Sequence, residues 1–313
     1  MIISASRRTD IPAFYTPWFM NRIREGFLLT RNPFNYNQVK RVSLIPSEVD
    51  VIVFWTRNPK MIMNHLDELD SRGFRYYFQY TITGYPRVLE SSVPRPHRAI
   101  ETFIELSDRI GSNRVVWRYD PILLSSLVGF NEHKRLFKKI AGMLSGKTNR
   151  VVISFADFYK KTERNLNEVL NLVCYDIVND RDGVIELALW MKKIANEYGM
   201  EIESCSEDID LSNFGIQHGK CIDNRLINDV FDFSVEEKKD NGQREACGCV
   251  KSVDIGSYNT CLHECAYCYA TFNKDVVKNN KKMHYPNSPF LIGDIEGVDP
   301  HLLSPVIIQQ SLF

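Results

Sequence analysis

Over the first two hundred positions, short runs of β-branched and aromatic residues alternate with stretches whose apolar residues recur every three or four places. The short runs predict strands near Met1–Ser6, Val49–Thr56, Tyr76–Thr83, Arg114–Pro121, Arg150–Ala156 and Met200–Cys205, because such side chains suit a pleated surface. The stretches between them predict helices over Trp18–Glu25, Lys60–Arg72, Arg98–Ile110, Glu132–Leu144 and Val184–Tyr198. Strand–helix alternation implies α/β architecture with a parallel sheet and right-handed crossovers. Six units are too few for a closed eight-fold barrel. The expectation is a six-stranded parallel (β/α)6 partial TIM barrel, with an open doubly wound sheet as the alternative. Both place a site at the carboxyl ends of the strands.

After Cys205 the pattern lapses. One moderately apolar stretch, Leu226–Phe233, precedes a charged run, Glu236–Asp240, that reads as solvated surface. Residues 271–313 show no clear periodicity and are expected to be an extended tail wrapping the domain. The expected organisation is a barrel over residues 1–205 and a C-terminal cysteine-rich, cluster-binding extension over 206–313.

Composition narrows the class. The 313 residues carry 39 basic and 39 acidic side chains, and this balance argues against a large phosphate-binding surface. No run of about 18 apolar residues predicts a membrane span, and the N-terminal apolar run is too short for a signal peptide. A cytoplasmic location is therefore expected. There, clustered cysteines read as metal-binding or catalytic rather than as disulfides. All eight cysteines lie in the second half.

The expected strand ends carry charged and polar residues directly beside apolar runs: Arg7, Arg8 and Asp10; Arg57 and Asn58; Thr81 and Thr83; Arg118 and Asp120; Asp157, Tyr159, Lys160 and Lys161. A charge so close to a core is costly unless it is paired or binds something. Convergence of these ends on one mouth predicts a polar pocket. Trp55, Trp117, Tyr80, Tyr119 and Phe155 could wall it, although core packing is the commoner use of such aromatics.

The segment Tyr258-Asn259-Thr260-Cys261-Leu262-His263-Glu264-Cys265-Ala266-Tyr267-Cys268-Tyr269-Ala270 spaces its cysteines C-x3-C-x2-C. Three thiolates in one tight loop can hold three irons of a [4Fe–4S] cube and leave the fourth iron open. A zinc site, with His263 or Cys249 as fourth ligand, is the alternative. The spacing resembles the radical S-adenosylmethionine (SAM) superfamily, and the run around it resembles the cluster loop of spore photoproduct lyase relatives. That resemblance implies Cys261, Cys265 and Cys268 as cluster ligands, Tyr267 as an adenine contact, SAM as cofactor, and an electron donor such as flavodoxin or ferredoxin. In ordinary members the motif follows the first strand and a glycine-rich motif follows the second. Here Arg7-Arg8-Thr9-Asp10 and Trp55-Thr56-Arg57-Asn58-Pro59 stand in those places. The C-terminal segment is therefore expected to fold back over the mouth.

The chain as a whole resembles the family catalogued as domain of unknown function 1848. The resemblance runs through Ile3–Pro12, Phe54–Pro59, Trp117–Ile122 and Cys247-Gly248-Cys249 to the cluster loop. It implies a radical-SAM-like protein with its motif near the C-terminus.

Cys205, Cys221, Cys247 and Cys249 form a second set, sufficient for another [4Fe–4S] cluster or for an all-cysteine zinc site. Cys174 sits in an apolar run and is expected to be a buried small hydrophobe. Arg7, Arg8, Arg57 and Arg118 are candidates for the SAM carboxylate. Asp10, Asp120, Asp157, Asn58, Thr81 and Thr83 are candidates for its ribose or for the substrate. Arg118, Asp120 and Lys160 are candidate catalytic groups, with an Arg118–Asp120 salt bridge as the plain structural use. Three functions stay open: a radical SAM enzyme on an unidentified small substrate, a radical enzyme that modifies nucleic acid, and a zinc-stabilised α/β binding module without catalysis.

Overall fold

The computed structural model describes residues 1–305 apart from 34, 157, 159, 177–179, 206–208 and 246. Eight strands form one open sheet: β1 (Ile2–Ala5), β4 (Val51–Thr56), β5 (Tyr76–Thr81), β6 (Val115–Ile122), β7 (Arg150–Phe155), β8 (Glu201–Ser204), β9 (Gln217–His218) and β10 (Val253–Asp254). Their order is β10-β1-β4-β5-β6-β7-β8-β9, and every pairing in it is parallel. All six expected strands lie in this sheet in chain order. The sheet also has two short strands at its edges, and β9 and β10 do not pair with each other.

The helices of the crossovers are α1 (Ile11–Phe14), α2 (Thr16–Glu25), α3 (Lys60–Met63), α4 (Leu66–Ser71), α5 (Pro96–Ile110), α6 (Phe130–Met143), α7 (Lys160–Asn167) and α8 (Arg181–Glu197). The expected helix over Lys60–Arg72 is split. The N–H groups of Asn64 and His65 bond carbonyls only three residues back, to Met61 and Ile62, which tightens the turn and redirects the chain.

Both faces of the sheet are buried, and alternate strand residues divide between them. Ile52, Phe54, Phe78, Trp117 and Ile153 pack with Phe19, Leu66, Phe103, Phe137 and Met191 from the crossover helices. Val51, Val53, Tyr77, Val116 and Val152 pack instead with Cys221, Ile222, Leu226, Cys247 and Cys249 of the C-terminal segment. The crossover helices thus cover one face and the cysteine-rich segment covers the other.

Three further features depart from the sequence expectation. Residues 27–43 form an antiparallel hairpin of β2 (Phe27–Asn32) and β3 (Asn35–Ser43). The polar run through Asn35–Lys40 hides its alternation. Beyond α9 (Asn224–Phe231), the supposed extended tail contains α10 (Lys274–Lys282) and a single-turn α11 (Pro300–Leu303). Val277 is the one buried residue of α10, so there is no apolar stripe to read. The helix relies on its ends instead: Asn273 Oδ1 accepts from the N–H groups of Asp275 and Val276, and Lys281 and Lys282 occupy the last turn. Cys174 is only half-buried, in an isolated bridge to Ser125. Among the described residues no helix is long and apolar enough to cross a membrane.

One core group carries a pH prediction. His133 is buried, with Nδ1 2.9 Å from Tyr119 Oη and Nε2 3.2 Å from Leu123 O. Burial pushes its pKa down from 6.5 to about 4. As pH falls, the unfolded chain takes up the proton first, so stability is lost from about pH 6.5 to about pH 4 and levels off below. The loss is about 3 kcal/mol. Urea midpoints measured across that window should fall less steeply in His133→Gln. Equal slopes in the two proteins would remove this assignment.

Candidate functional site

The carboxyl ends of the strands open into one cavity of ≈ 390 Å³. Arg7, Arg8 and Asp10 enter it after β1, Trp55 and Arg57 at β4, Thr81 at β5, Arg118 and Asp120 at β6, Phe155 at β7 and Cys205 after β8. Cys221, Cys247, Cys249, Cys261, Cys265, Cys268 and Tyr267 line the same cavity. All seven cysteines expected as metal ligands therefore share one space. Asn58 and Thr83 are not in its wall: Asn58 Oδ1 accepts from Lys60 N at the start of α3, and Thr83 donates to Glu90. Trp117, Tyr80 and Tyr119 are in the core, with their polar tips bonded to Ile82 O, Ala99 O and His133. Asp157, Tyr159 and the side chains of Lys160 and Lys161 lie outside the described residues.

The C-terminal loop reaches the mouth because β10 adds to the sheet beside β1. Asp254, which ends β10, accepts from Ser4 Oγ at 2.9 Å, Ser6 Oγ at 2.7 Å and Arg7 N at 2.8 Å. Asp10 then ties three pieces together. It caps α1 through Ala13 N at 2.9 Å, accepts from Arg57 N at 2.7 Å, and lies 2.8 Å from His263 Nε2 inside the cysteine loop. Behind Cys265, buried Glu90 gathers Arg57 Nη1 at 2.7 Å, Thr83 Oγ1 at 2.5 Å and the Tyr267 hydroxyl. Ala266 N also bonds Leu89 O at 2.9 Å. The loop is thus held by a buried carboxylate network.

The two cysteine sets differ in charge. Burial, with Cys268, Asp10 and Cys265 nearby, raises the Cys261 thiol well above its ordinary range. Burial pushes Cys265 up to about 12, although Arg57 opposes this. These thiols stay protonated until a positively charged group compensates them. In the second set the balance is reversed. Hydrogen bonds from Cys221 and Cys247, with the charge of Arg7, hold Cys249 far below the ordinary range. A hydrogen bond from Cys221, with Arg118 beside it, lowers Cys205 to about 7. Cys221, bonded to both neighbours, is raised well above normal and keeps its proton.

The four expected arginines are used unequally. Arg118 pairs with Asp120 through Nε and Nη2, and its Nη1 donates to Cys221 Sγ at 2.9 Å. Arg57 is taken by Glu90 and by Tyr267 Oη at 2.5 Å. Arg7 lies 3.7 Å from Asp240, and among the described residues its buried Nη2 has no hydrogen-bond partner. The Arg8 guanidinium sits 5.3 Å from the centre of the Tyr258 ring, with no carboxylate on it among the described residues. Among the described residues, Arg8 and the Nη2 of Arg7 are therefore the parts of these four arginines left open to an incoming anion.

The donors fit a three-thiolate cluster in kind. The loop offers three thiols together with His263, whose Nε2 is engaged by Asp10 while its buried Nδ1 has no hydrogen-bond partner among the described residues, and Glu264, whose Oε2 accepts from Ser91. Among the described residues no group of three or more His, Cys, Asp and Glu side chains stands ready to hold a metal ion, and this holds for both cysteine sets. A cube takes one thiolate per iron, so its ligands ring a cluster and need not meet at one point.

Several organising residues had no legible signal in the sequence. Glu90 is one acidic residue in a loop, and only its burial reveals its role. Asp254 resembles any other polar residue of an irregular segment. Asp10 had a local sign, an acidic residue directly before Ile11-Pro12 where a helix begins.

A family model described as Domain of unknown function (DUF1848) matches residues 2–270. No curated protein matches the chain. Among solved structures, the tandem GH20 catalytic modules of the pneumococcal exo-beta-D-N-acetylglucosaminidase StrH are similar over 67% of this chain and 56% of that one, at 10% identity and TM-score 0.25. The chain thus spans little more than half of that structure, and a likeness so slight carries no argument.

Proposed function

The chain belongs to the DUF1848 family, and from its cavity we propose that it is a radical SAM enzyme whose Cys261, Cys265 and Cys268 hold a [4Fe–4S] cluster. One observation carries the reading: the three loop thiols line an arginine-rich cavity at the carboxyl ends of a parallel sheet. When bound there, a reduced cluster with one open iron supplies the electron that cleaves the carbon–sulfur bond of SAM.

The chain's own residues do the rest. The Arg8 guanidinium takes the SAM carboxylate. Tyr267, its hydroxyl fixed by Glu90 and Arg57, lies against the adenine. Thr81 bonds the ribose. Trp55 and Phe155 help exclude water, which a radical reaction requires. Arg118 and Asp120 act as a fixed ion pair at the cavity floor, with Asp120 also held by Ser154. A carrier of the flavodoxin or ferredoxin class supplies the electron. We also read β1 and β4–β8, with their crossover helices on one face, as a six-stranded partial barrel to which β9 and β10 add edges. The substrate is a small molecule in this reading, because zero net charge gives little support to nucleic acid.

The test is purification without oxygen. The protein should contain iron and sulfide, absorb near ~400 nm as Fe–S proteins do, and convert SAM to 5′-deoxyadenosine when dithionite is added. Cys265→Ala should reduce that conversion to background. Colourless, iron-free wild type, or full conversion by the variant, would rule the reading out.

A further inference from the structure

The second cysteine set is built differently from the loop. Cys205 follows β8, Cys221 follows β9, and Cys247 and Cys249 precede β10. All four are buried in the apolar cluster beneath the sheet. Cys205 Sγ and Cys221 Sγ are 3.0 Å apart. The chain also aims N–H groups at these sulfurs: Arg118 Nη1 at 2.9 Å from Cys221 Sγ and Ile222 N at 3.4 Å from Cys249 Sγ. Arg7 and Arg118 both lie over the Trp55 ring, 5.5 and 5.2 Å from its centre. The backbone carrying the thiols is fixed, because Tyr77 Oη and Gln79 Nε2 each donate to Cys221 O at 2.8 Å, and Val250 N donates to Ile222 O at 3.1 Å. Neutral thiols are weak acceptors. Buried guanidinium and amide donors aimed at sulfur are the outer-shell pattern of metal thiolates.

We propose that Cys205, Cys221, Cys247 and Cys249 bind a single tetrahedral ion of the zinc class, distinct from the cluster on the Cys261–Cys268 loop. Zinc–sulfur bonds of about 2.3 Å in a tetrahedron set neighbouring sulfurs about 3.8 Å apart. Cys205 and Cys221 need to open by less than ~1 Å to reach that spacing. An iron–sulfur cube would have to force them much further apart, since each iron takes one thiolate. On binding, each protonated thiol gives its proton to solvent and the ion replaces the sulfur–sulfur hydrogen bonds. The tetrathiolate carries two negative charges, which Arg7 and Arg118 face. Four protein ligands leave no open position, so the site is structural. It fastens the ends of β8 and β9 to the segment that leads into β10, and so seats the cluster loop over the cavity.

The test uses the full chain, purified anaerobically from medium containing both metals. Metal and sulfide are measured in wild type and in the triple variant Cys261→Ser, Cys265→Ser, Cys268→Ser. The variant should keep one zinc per chain and lose its iron. In wild type, the four thiols should resist alkylation until a zinc chelator is added, and then label together. That measurement also serves if the variant does not fold. Iron and sulfide without zinc in the triple variant, or four thiols that label without chelator, would overturn the proposal. Zinc-loaded wild type without iron would leave this site standing while the radical reading fell.

Discussion

Replacing Arg57 with methionine is expected to destabilise the protein by about 3–5 kcal/mol, the usual cost of removing one partner of a buried ion pair. Arg57 and Glu90 side chains are only 12% and 5% exposed, so water cannot replace the lost cation. Burial alone pulls the Arg57 pKa down, yet the charges of Glu90, Tyr267 and Cys265 raise it well above normal. The field of the site therefore depends on that guanidinium. Without it, Glu90 would retain only the hydroxyls of Thr83 and Tyr267. The cysteine loop should loosen as well, because Glu90 bridges to Cys265 and Leu89 O receives Ala266 N. Urea unfolding measures the loss. Adding Glu90→Gln to Arg57→Met should recover part of it, since no unpaired charge is left buried. A single variant within about 1 kcal/mol of wild type would show that the network is dispensable.

Gly256→Ala is expected to unseat the C-terminal segment. A Cβ at Gly256 would stand 2.6 Å from Ser6 Cβ and closer still to its hydroxyl. Ser6 cannot turn aside cheaply, because its Oγ donates to Asp254 at 2.7 Å and accepts from Arg8 N at 2.9 Å. Either those bonds break or β10 shifts away from β1. Overpacking of this kind costs about 1–3 kcal/mol. The displaced strand also carries the cysteine loop, whose first thiol, Cys261, stands seven residues beyond Asp254. Thermal melts should show the loss, and Ser6→Gly added to Gly256→Ala should restore most of it. No rescue would mean that the clash lies elsewhere.

Much of the sheet was legible because its strands are apolar on both faces. Runs such as Val51–Trp55 and Tyr76–Tyr80 have few other uses. The hairpin of β2 and β3 and the helix α10 were not legible. Each is stabilised by contacts that leave little local pattern: Phe27 and Leu29 against Phe290 and Val298 for the hairpin, and end caps for α10. In the site, residue types were readable but allegiances were not. Arg118 and Asp120 stand two apart on one strand, so their pairing could be anticipated. Arg57 and Glu90 are thirty-three residues apart, and nothing local links them. The four arginines looked equivalent in sequence. Only their partners separate Arg57 and Arg118, which are committed to Glu90 and Asp120, from Arg8 and Arg7, which among the described residues keep a guanidinium or a buried Nη2 without a hydrogen-bond partner.

By itself the sequence determined the strand–helix repeat, the clustering of charges at strand ends and the three-cysteine loop. Each of these depends on neighbours within a few residues along the chain. Tertiary structure decided that β10 would lie beside β1, that both cysteine sets would line one cavity, and that the two sets would differ in charge. Those outcomes depend on hydrogen bonds and fields between groups up to some 250 residues apart, such as Ser4 with Asp254 and Asp10 with His263. Short-range pattern cannot encode such pairings, because the sheet alone brings those ends together.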